Sequence, residues 1–135
     1  MELNEREMWR IVNLIESDLK GVDKEISNAL MILDDNTRRP ILVEHVVYSI
    51  LCIKRKLESH VVTLNEFQDE LFKMKLNKTK KSTGLEKLDL YFRVKTLKVD
   101  LKKKIKDIEK MKVWDIYLIL FYFFININLI YIRRR

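Results

Sequence analysis

The chain has 135 residues, the length of one domain, and it contains only two glycines, one proline and one cysteine. So few breakers beside 47% apolar and 35% charged residues favour long helices, and they exclude loop-rich sandwiches and glycine-dependent phosphate loops. The net charge of +7 divides unevenly, with −5 over residues 1–72 and +12 over residues 73–135. The basic second half is suited to contact the acidic first half, nucleic acid or an anionic membrane.

The first predicted helix covers residues 4–33. Its apolar residues recur at alternating steps of four and three, which keeps one seam turned toward a neighbouring helix. The seam consists of Met8, Val12, Ile15, Leu19, Val22, Ile26, Ala29 and Leu33. We predict that this seam, and its part from Met8 to Ile26 above all, binds the helix of a protein partner.

The second predicted helix covers residues 41–77. The turn-favouring residues at 34–36 separate it from the first helix, and Pro40 suits a first helical turn. Thr63 and Glu66 have the spacing of a capping box, which predicts a break near 60–63 and a new helix after it. A helix that continues from 41 to 77 fits the apolar pattern equally well, so both alternatives stay open.

The third predicted helix covers residues 84–112 and follows a polar, basic linker at 77–84. Lysines form a stripe beside its apolar face: Lys95, Lys98, Lys102, Lys103, Lys104, Lys106, Lys110 and Lys112. Lysine stripes contact phosphates without reading bases, so the predicted partners are anionic lipid headgroups or, without sequence specificity, nucleic acid. The alternative is an ordinary solvated helix face whose lysines pair partly with nearby acids.

The last segment, 113–135, is predicted as a hydrophobic C-terminal helix that anchors the chain in a membrane. Residues 116–132 carry no charge and would reach about 26 Å as a helix, near the thickness of a hydrocarbon core. Aromatic and basic residues mark the segment and its ends: Trp114, Tyr117, Phe121, Phe124, Tyr131, Arg133, Arg134 and Arg135. Six lysines stand within the 15 residues before Asp115 and three arginines follow the segment, which predicts that the bundle faces the cytosol.

Two other interpretations of this segment stay open. Its aromatic and β-branched residues also suit a surface that is buried in an obligate protein complex. Its Ile, Asn, Tyr, Phe and Leu residues are those that AT-rich codons encode, which fits translation from an alternative transcript.

His45, Cys52 and His60 are the chain's only imidazole and thiol side chains. Along one helix their steps rise about 10–12 Å each, beyond the reach of one ion, so we predict no metal site. We place Cys52 in the core, with the histidines at its rim. The lone cysteine excludes an internal disulfide and fits a reducing compartment. No nucleophile motif is present, so we predict no enzyme, no cofactor and no small-molecule substrate.

These features predict an all-α fold, an elongated bundle or coiled-coil-like array of three to four long helices. Residues 1–112 would form the bundle, and 113–135 the hydrophobic C-terminal segment. The expected function is that of a non-enzymatic interaction or scaffold protein, tail-anchored at the cytosolic face of a membrane and binding partner helices. The alternative is a helical subunit of a nuclear or cytosolic complex, with its lysine-rich helix on nucleic acid.

Overall fold

A computed structural model describes residues 4–36, 40–76, 84–115, 117–118, 122, 125–126 and 128–129. Three long helices make up most of this part of the chain: α1 (Glu5–Asn36), α2 (Pro40–Leu76) and α3 (Gly84–Glu109). Each helix packs against the other two, and the described residues include no strand. The predicted all-α bundle of long helices is confirmed. The predicted hydrophobic C-terminal helix lies largely outside the described residues.

Helix α1 begins at a side-chain cap. Asn4 precedes the helix, and its Oδ1 accepts a hydrogen bond of 2.8 Å from the backbone N–H of Glu7. The first N–H groups of a helix have no partner inside the helix, so an asparagine oxygen in this position stabilises the start. Glu5 and Glu7 add negative charge to the first turn, where it interacts favourably with the positive end of the helix dipole.

Helix α2 runs from Pro40 to Leu76 without a break, which decides between the two alternatives left by the sequence. Thr63 does not cap a new helix, because its hydroxyl donates back to the carbonyl oxygen of Ser59 at 3.2 Å. This i to i−4 bond is the one that threonine makes inside a continuous helix. The capping-box spacing is therefore accidental here.

We expect the Thr63→Ala variant to keep or slightly raise the free energy of unfolding, by up to about 0.5 kcal/mol. Alanine has the higher helix propensity, and a threonine inside a helix contributes no cap. Had Thr63 been an N-cap, the same change would cost about 0.5–2 kcal/mol. Urea unfolding followed by helical circular dichroism separates the two results, and a loss of more than about 1 kcal/mol would contradict the continuous helix.

Helices α2 and α3 are antiparallel, and polar contacts at two levels fix their register. Lys98 Nζ donates to Gln68 Oε1 at 2.9 Å, and Lys54 Nζ lies 3.3 Å from Glu109 Oε1. Residue numbers fall along α2 as they rise along α3. Since Glu109 is the last residue of α3, the part of α2 before Lys54 extends beyond the end of α3.

Helix α1 runs parallel to α3, and two ion pairs join them. The guanidinium of Arg93 contacts the carboxylate of Glu16, and Lys104 Nζ lies 2.7 Å from Asp23 Oδ1. Exposed pairs of this kind contribute little stability each, but their order along both helices sets the register. The acidic first half and the basic second half therefore meet inside one chain.

The core is apolar, since no polar or charged residue is buried among the described ones. It takes one face of each helix at helical spacing. Its members are Met8, Val12, Ile15, Val22, Val43, Val46, Val47, Ile50, Leu57, Leu64, Phe67, Leu71, Leu90, Val94, Leu97, Leu101, Ile108 and Val113. The hydrophobic effect acts on this continuous cluster, so the three helices depend on one another for stability.

The seam of α1 is part of this core, which corrects the prediction of a partner surface. The exposed fractions of Met8, Val12, Ile15 and Val22 are 0–3%. The two other seam residues, Leu19 and Ile26, are half-buried and pack against the same cluster. Periodicity predicted correctly that the seam is covered, but the covering helices belong to the same chain.

The core continues past the end of α3. Val43 and Ile50 lie in the part of α2 that extends beyond Glu109, yet both are 0% exposed. Val113 is 3% exposed and belongs to the same cluster. The chain after α3 therefore takes part in covering this end of the bundle.

Candidate functional site

The predicted lysine stripe divides between the flanks and the outer side of α3. Lys98 and Lys104 are half-buried and bind Gln68 and Asp23, so they serve the contacts between helices. The remaining lysines of the stripe are exposed: Lys95, Lys102, Lys103, Lys106, Lys110 and Lys112. Of these two flank residues, Lys104 pairs with an acid of α1 and Lys98 with an amide of α2, so both join α3 to a neighbouring helix.

Three large apolar side chains lie among the exposed lysines, a feature that the sequence-based prediction missed. The exposed fractions of Leu88, Phe92 and Val99 are 44%, 54% and 59%. Together with three lysines they recur at steps of four, three, four, three and four along the outer side of α3. We call this set the outer seam: Leu88, Phe92, Lys95, Val99, Lys102 and Lys106.

The outer seam contains no carboxylate, although α3 carries acidic residues. Asp89, Asp100 and Asp107 are exposed on the flank nearest α1, about 100° around the helix from the seam. Among the described residues, none of the three seam lysines lies within ion-pair distance of a carboxylate. The seam is therefore a mixed apolar and cationic surface that faces away from both other helices.

Trp114 closes the end of α3. Its indole Nε1–H donates to the carbonyl oxygen of Ile108 at 2.6 Å, and the backbone N–H of Met111 donates to the same oxygen at 3.2 Å. The last carbonyls of a helix have no partner inside it, so these bonds satisfy one of them. Trp114 and Tyr117 also pack against the core. Their assignment to a membrane segment stays a prediction, with the added finding that both side chains contact the bundle.

We expect the Trp114→Phe variant to lose about 0.5–1.5 kcal/mol of its free energy of unfolding. Phenylalanine keeps an aromatic ring against the core but cannot donate to Ile108. Urea unfolding of the full chain measures the loss. A variant as stable as the wild type would show that the indole bond is not needed to close α3.

Beyond Tyr117, the described residues of the C-terminal segment expose apolar side chains. Leu118, Tyr122, Ile125 and Leu129 are 61%, 70%, 39% and 52% exposed, and all four have helical backbone. They recur in the sequence at steps of four, three and four, the spacing of residues on one side of a helix, and we call these four residues the tail stripe. Phe121, Phe124, Tyr131 and the arginines 133–135, predicted as membrane residues, lie outside the described residues. No helix in the described ranges has the length and apolar character to cross a membrane.

The predicted positions of the imidazole and thiol residues are partly wrong. Cys52 is exposed rather than in the core, because it lies on the side of α2 opposite Leu57 and Ile50. His60 is half-buried, and its Nε2 lies 3.0 Å from Asp18 Oδ2 on α1. This contact explains His60 as a link between two helices.

Among the residues that the structure describes, no group of three or more His, Cys, Asp or Glu side chains is arranged to hold a metal ion. Every buried side-chain nitrogen and oxygen there has a hydrogen-bond partner. No family model, curated protein or solved structure matches the chain. The surfaces that remain as candidates are the outer seam and the tail stripe.

Proposed function

We propose that this chain is a non-enzymatic helical interaction protein. Its C-terminal segment attaches it to the cytosolic face of a membrane. The observation that carries the proposal is the tail stripe. Four large, exposed apolar side chains, in a segment with no charge from 116 to 132, need a cover that water does not provide. Lipid provides such a cover, and so does a second protein.

The composition around the segment favours lipid. Exposed Lys106, Lys110 and Lys112 precede it and the arginines at 133–135 follow it, as basic residues do at both ends of segments inserted into anionic membranes. The greater number of lysines on the N-terminal side favours a cytosolic bundle. The bundle then offers its exposed helix faces to protein partners, while its α1 seam stays inside.

The burial of Val113 limits how the segment enters the bilayer. With Val113, Trp114 and Tyr117 packed on the bundle, 15 residues from 118 to 132 remain, about 22 Å as a helix. This is less than the roughly 30 Å of a hydrocarbon core. The segment therefore either lies in the interface, or it crosses the bilayer after 113–117 leave the bundle.

The test is flotation of the full chain with neutral phosphatidylcholine vesicles. We expect the wild type to float, and we expect substitution of the tail stripe to reduce the bound fraction more than tenfold. The variant replaces Leu118, Tyr122, Ile125 and Leu129 with glutamine. Each apolar side chain removed from lipid contact forfeits about 1.5–3 kcal/mol when it is fully buried, so four exceed the 1.4 kcal/mol of one tenfold step.

The matched control replaces four exposed apolar residues of the bundle with glutamine: Leu14, Tyr48, Val62 and Phe72, which are 57–61% exposed. This variant should float like the wild type. If the tail variant floats like the wild type, or if the wild type does not float, membrane attachment is refuted. The remaining interpretation is that a partner protein covers the C-terminal segment in a complex. A glycosylation acceptor added at the C-terminus distinguishes crossing from interfacial binding, because only a translocated end is modified in microsomes.

A further inference from the structure

We infer that the outer seam of α3 rests on the surface of an anionic bilayer, so that the bundle lies along the membrane. This inference deepens the proposed function and depends on it. It assigns a role to Leu88, Phe92 and Val99, whose exposure neither the core nor the C-terminal segment explains. It also fixes which side of the bundle faces the lipid.

The first argument is orientation. One flank of α3 binds α1 through Arg93 and Lys104, and the other flank binds α2 through Lys98 and Glu109. With both flanks engaged, the side that carries the outer seam is the one turned outward. None of the seam lysines forms an ion pair with a described carboxylate of α1 or α2.

The second argument is the chemistry of the seam. An anionic bilayer surface offers phosphate and carboxylate groups to lysines and, immediately below them, an apolar layer to Phe92 and Val99. A nucleic acid would pair with the lysines but would leave both apolar side chains beside a phosphate backbone. Stacking on bases needs aromatic residues in series, and the seam has one, Phe92.

The third argument is continuity. The segment proposed to enter the membrane follows α3 directly, since Glu109 ends the helix and the charge-free stretch begins at 116. The seam lysines Lys95, Lys102 and Lys106 lie along α3, and exposed Lys110 and Lys112 follow between its end and that stretch. Charge complementarity and proximity thus select the same occupant, an anionic membrane surface. The outer faces of α1 and α2 are then left to the water, where partners can reach them.

The test compares two labelled variants of the full chain in which Cys52, the only native thiol, is serine. A single cysteine replaces Val99 on the outer seam or Val62 on the outer side of α2, and each carries an environment-sensitive fluorophore. The two valines are 59% and 57% exposed, so they are a matched pair. With vesicles that contain roughly a third phosphatidylserine, the label at position 99 should shift to the blue and the label at 62 should not.

A charge test supports the label test. The triple variant Lys95→Gln, Lys102→Gln and Lys106→Gln should lower partitioning into these vesicles on the order of 100-fold, and added salt should weaken the wild type similarly. The control removes the same charge elsewhere, through Lys24→Gln, Arg55→Gln and Lys73→Gln, and should have a much smaller effect. Circular dichroism checks that both variants stay helical.

The outcomes separate the two proposals. If the wild type floats with neutral and anionic vesicles alike and the two labels respond equally, the outer seam has no role at the membrane while the C-terminal attachment stands. If the wild type floats with neither vesicle, both proposals fail. If the seam and control charge variants behave the same, general charge explains the binding and the inference fails. The inference is also overturned if the Lys95, Lys102 and Lys106 triple variant binds vesicles like the wild type but no longer binds duplex nucleic acid.

Discussion

We expect the Phe67→Ala variant to lose about 3–5 kcal/mol of its free energy of unfolding. Phe67 is 1% exposed and is the largest fully buried side chain among the described residues. Its removal forfeits the transfer free energy of the ring and leaves a cavity that the long, straight helices fill poorly. Domains of this size are stable by about 5–15 kcal/mol, so the variant should unfold at a much lower urea concentration.

The control is Phe72→Ala, five residues later in the same helix. Phe72 is 58% exposed, and its replacement should change the free energy of unfolding by no more than about 0.5 kcal/mol. Both variants remove the same atoms from α2, so the difference between them isolates burial. If the two losses were equal, the face of α2 that packs in the bundle would not be the one that contains Phe67.

Hydrophobic periodicity was enough to predict the three helices and their buried faces. Met8, Val12 and Ile15 recur at steps that only a helix turns into one face, and Leu90 and Val94 do the same in α3. Periodicity predicts that one face of a helix is buried, but it does not predict which helix, in the same chain or in a partner, covers that face. The α1 seam was therefore assigned to a separate partner, although α2 and α3 of the same chain cover it.

Local signals were less decisive than packing in α2. The Thr63 and Glu66 spacing predicts a helix start, yet Leu57, Leu64 and Phe67 stay on one face across that position. Burial of all three requires a straight helix there, and this gain exceeds that of a single cap, which is about 1 kcal/mol. Cys52 was misplaced for a related reason, because residue type predicts burial only on average.

The outer seam was missed because it resembles a core pattern displaced around the helix. Leu88, Phe92 and Val99 are interrupted by lysines at the same period, so apolar counting selects the stronger set from Leu90 to Ile108. The exposed fractions of Leu88, Phe92 and Val99, and the contacts of the flanks, show that the second set points outward. A search for mixed apolar and lysine seams at steps of four and three would have found it.

A chain that ends at Lys112 should be less stable than one that ends at Leu118, by about 3–5 kcal/mol of unfolding free energy. The shorter chain lacks Val113, which is 3% exposed, and also Trp114 and Tyr117, which pack on the core. A chain that ends at the predicted domain boundary, residue 112, therefore loses three side chains that pack at this end of the bundle. Urea unfolding of both chains, followed by circular dichroism, measures the difference. Both chains lack the residues after Leu118, so the comparison with the longer chain isolates the contribution of residues 113–118.

This difference also bears on how the C-terminal segment meets a bilayer. If 113–117 stabilise the bundle by several kcal/mol, a crossing segment must forfeit that energy to recruit them, whereas an interfacial segment keeps it. Equal stability of the two chains would instead show that 113–117 are free to leave the bundle, and crossing would then carry no cost in folding. A large difference thus favours attachment along the interface over a segment that crosses the bilayer.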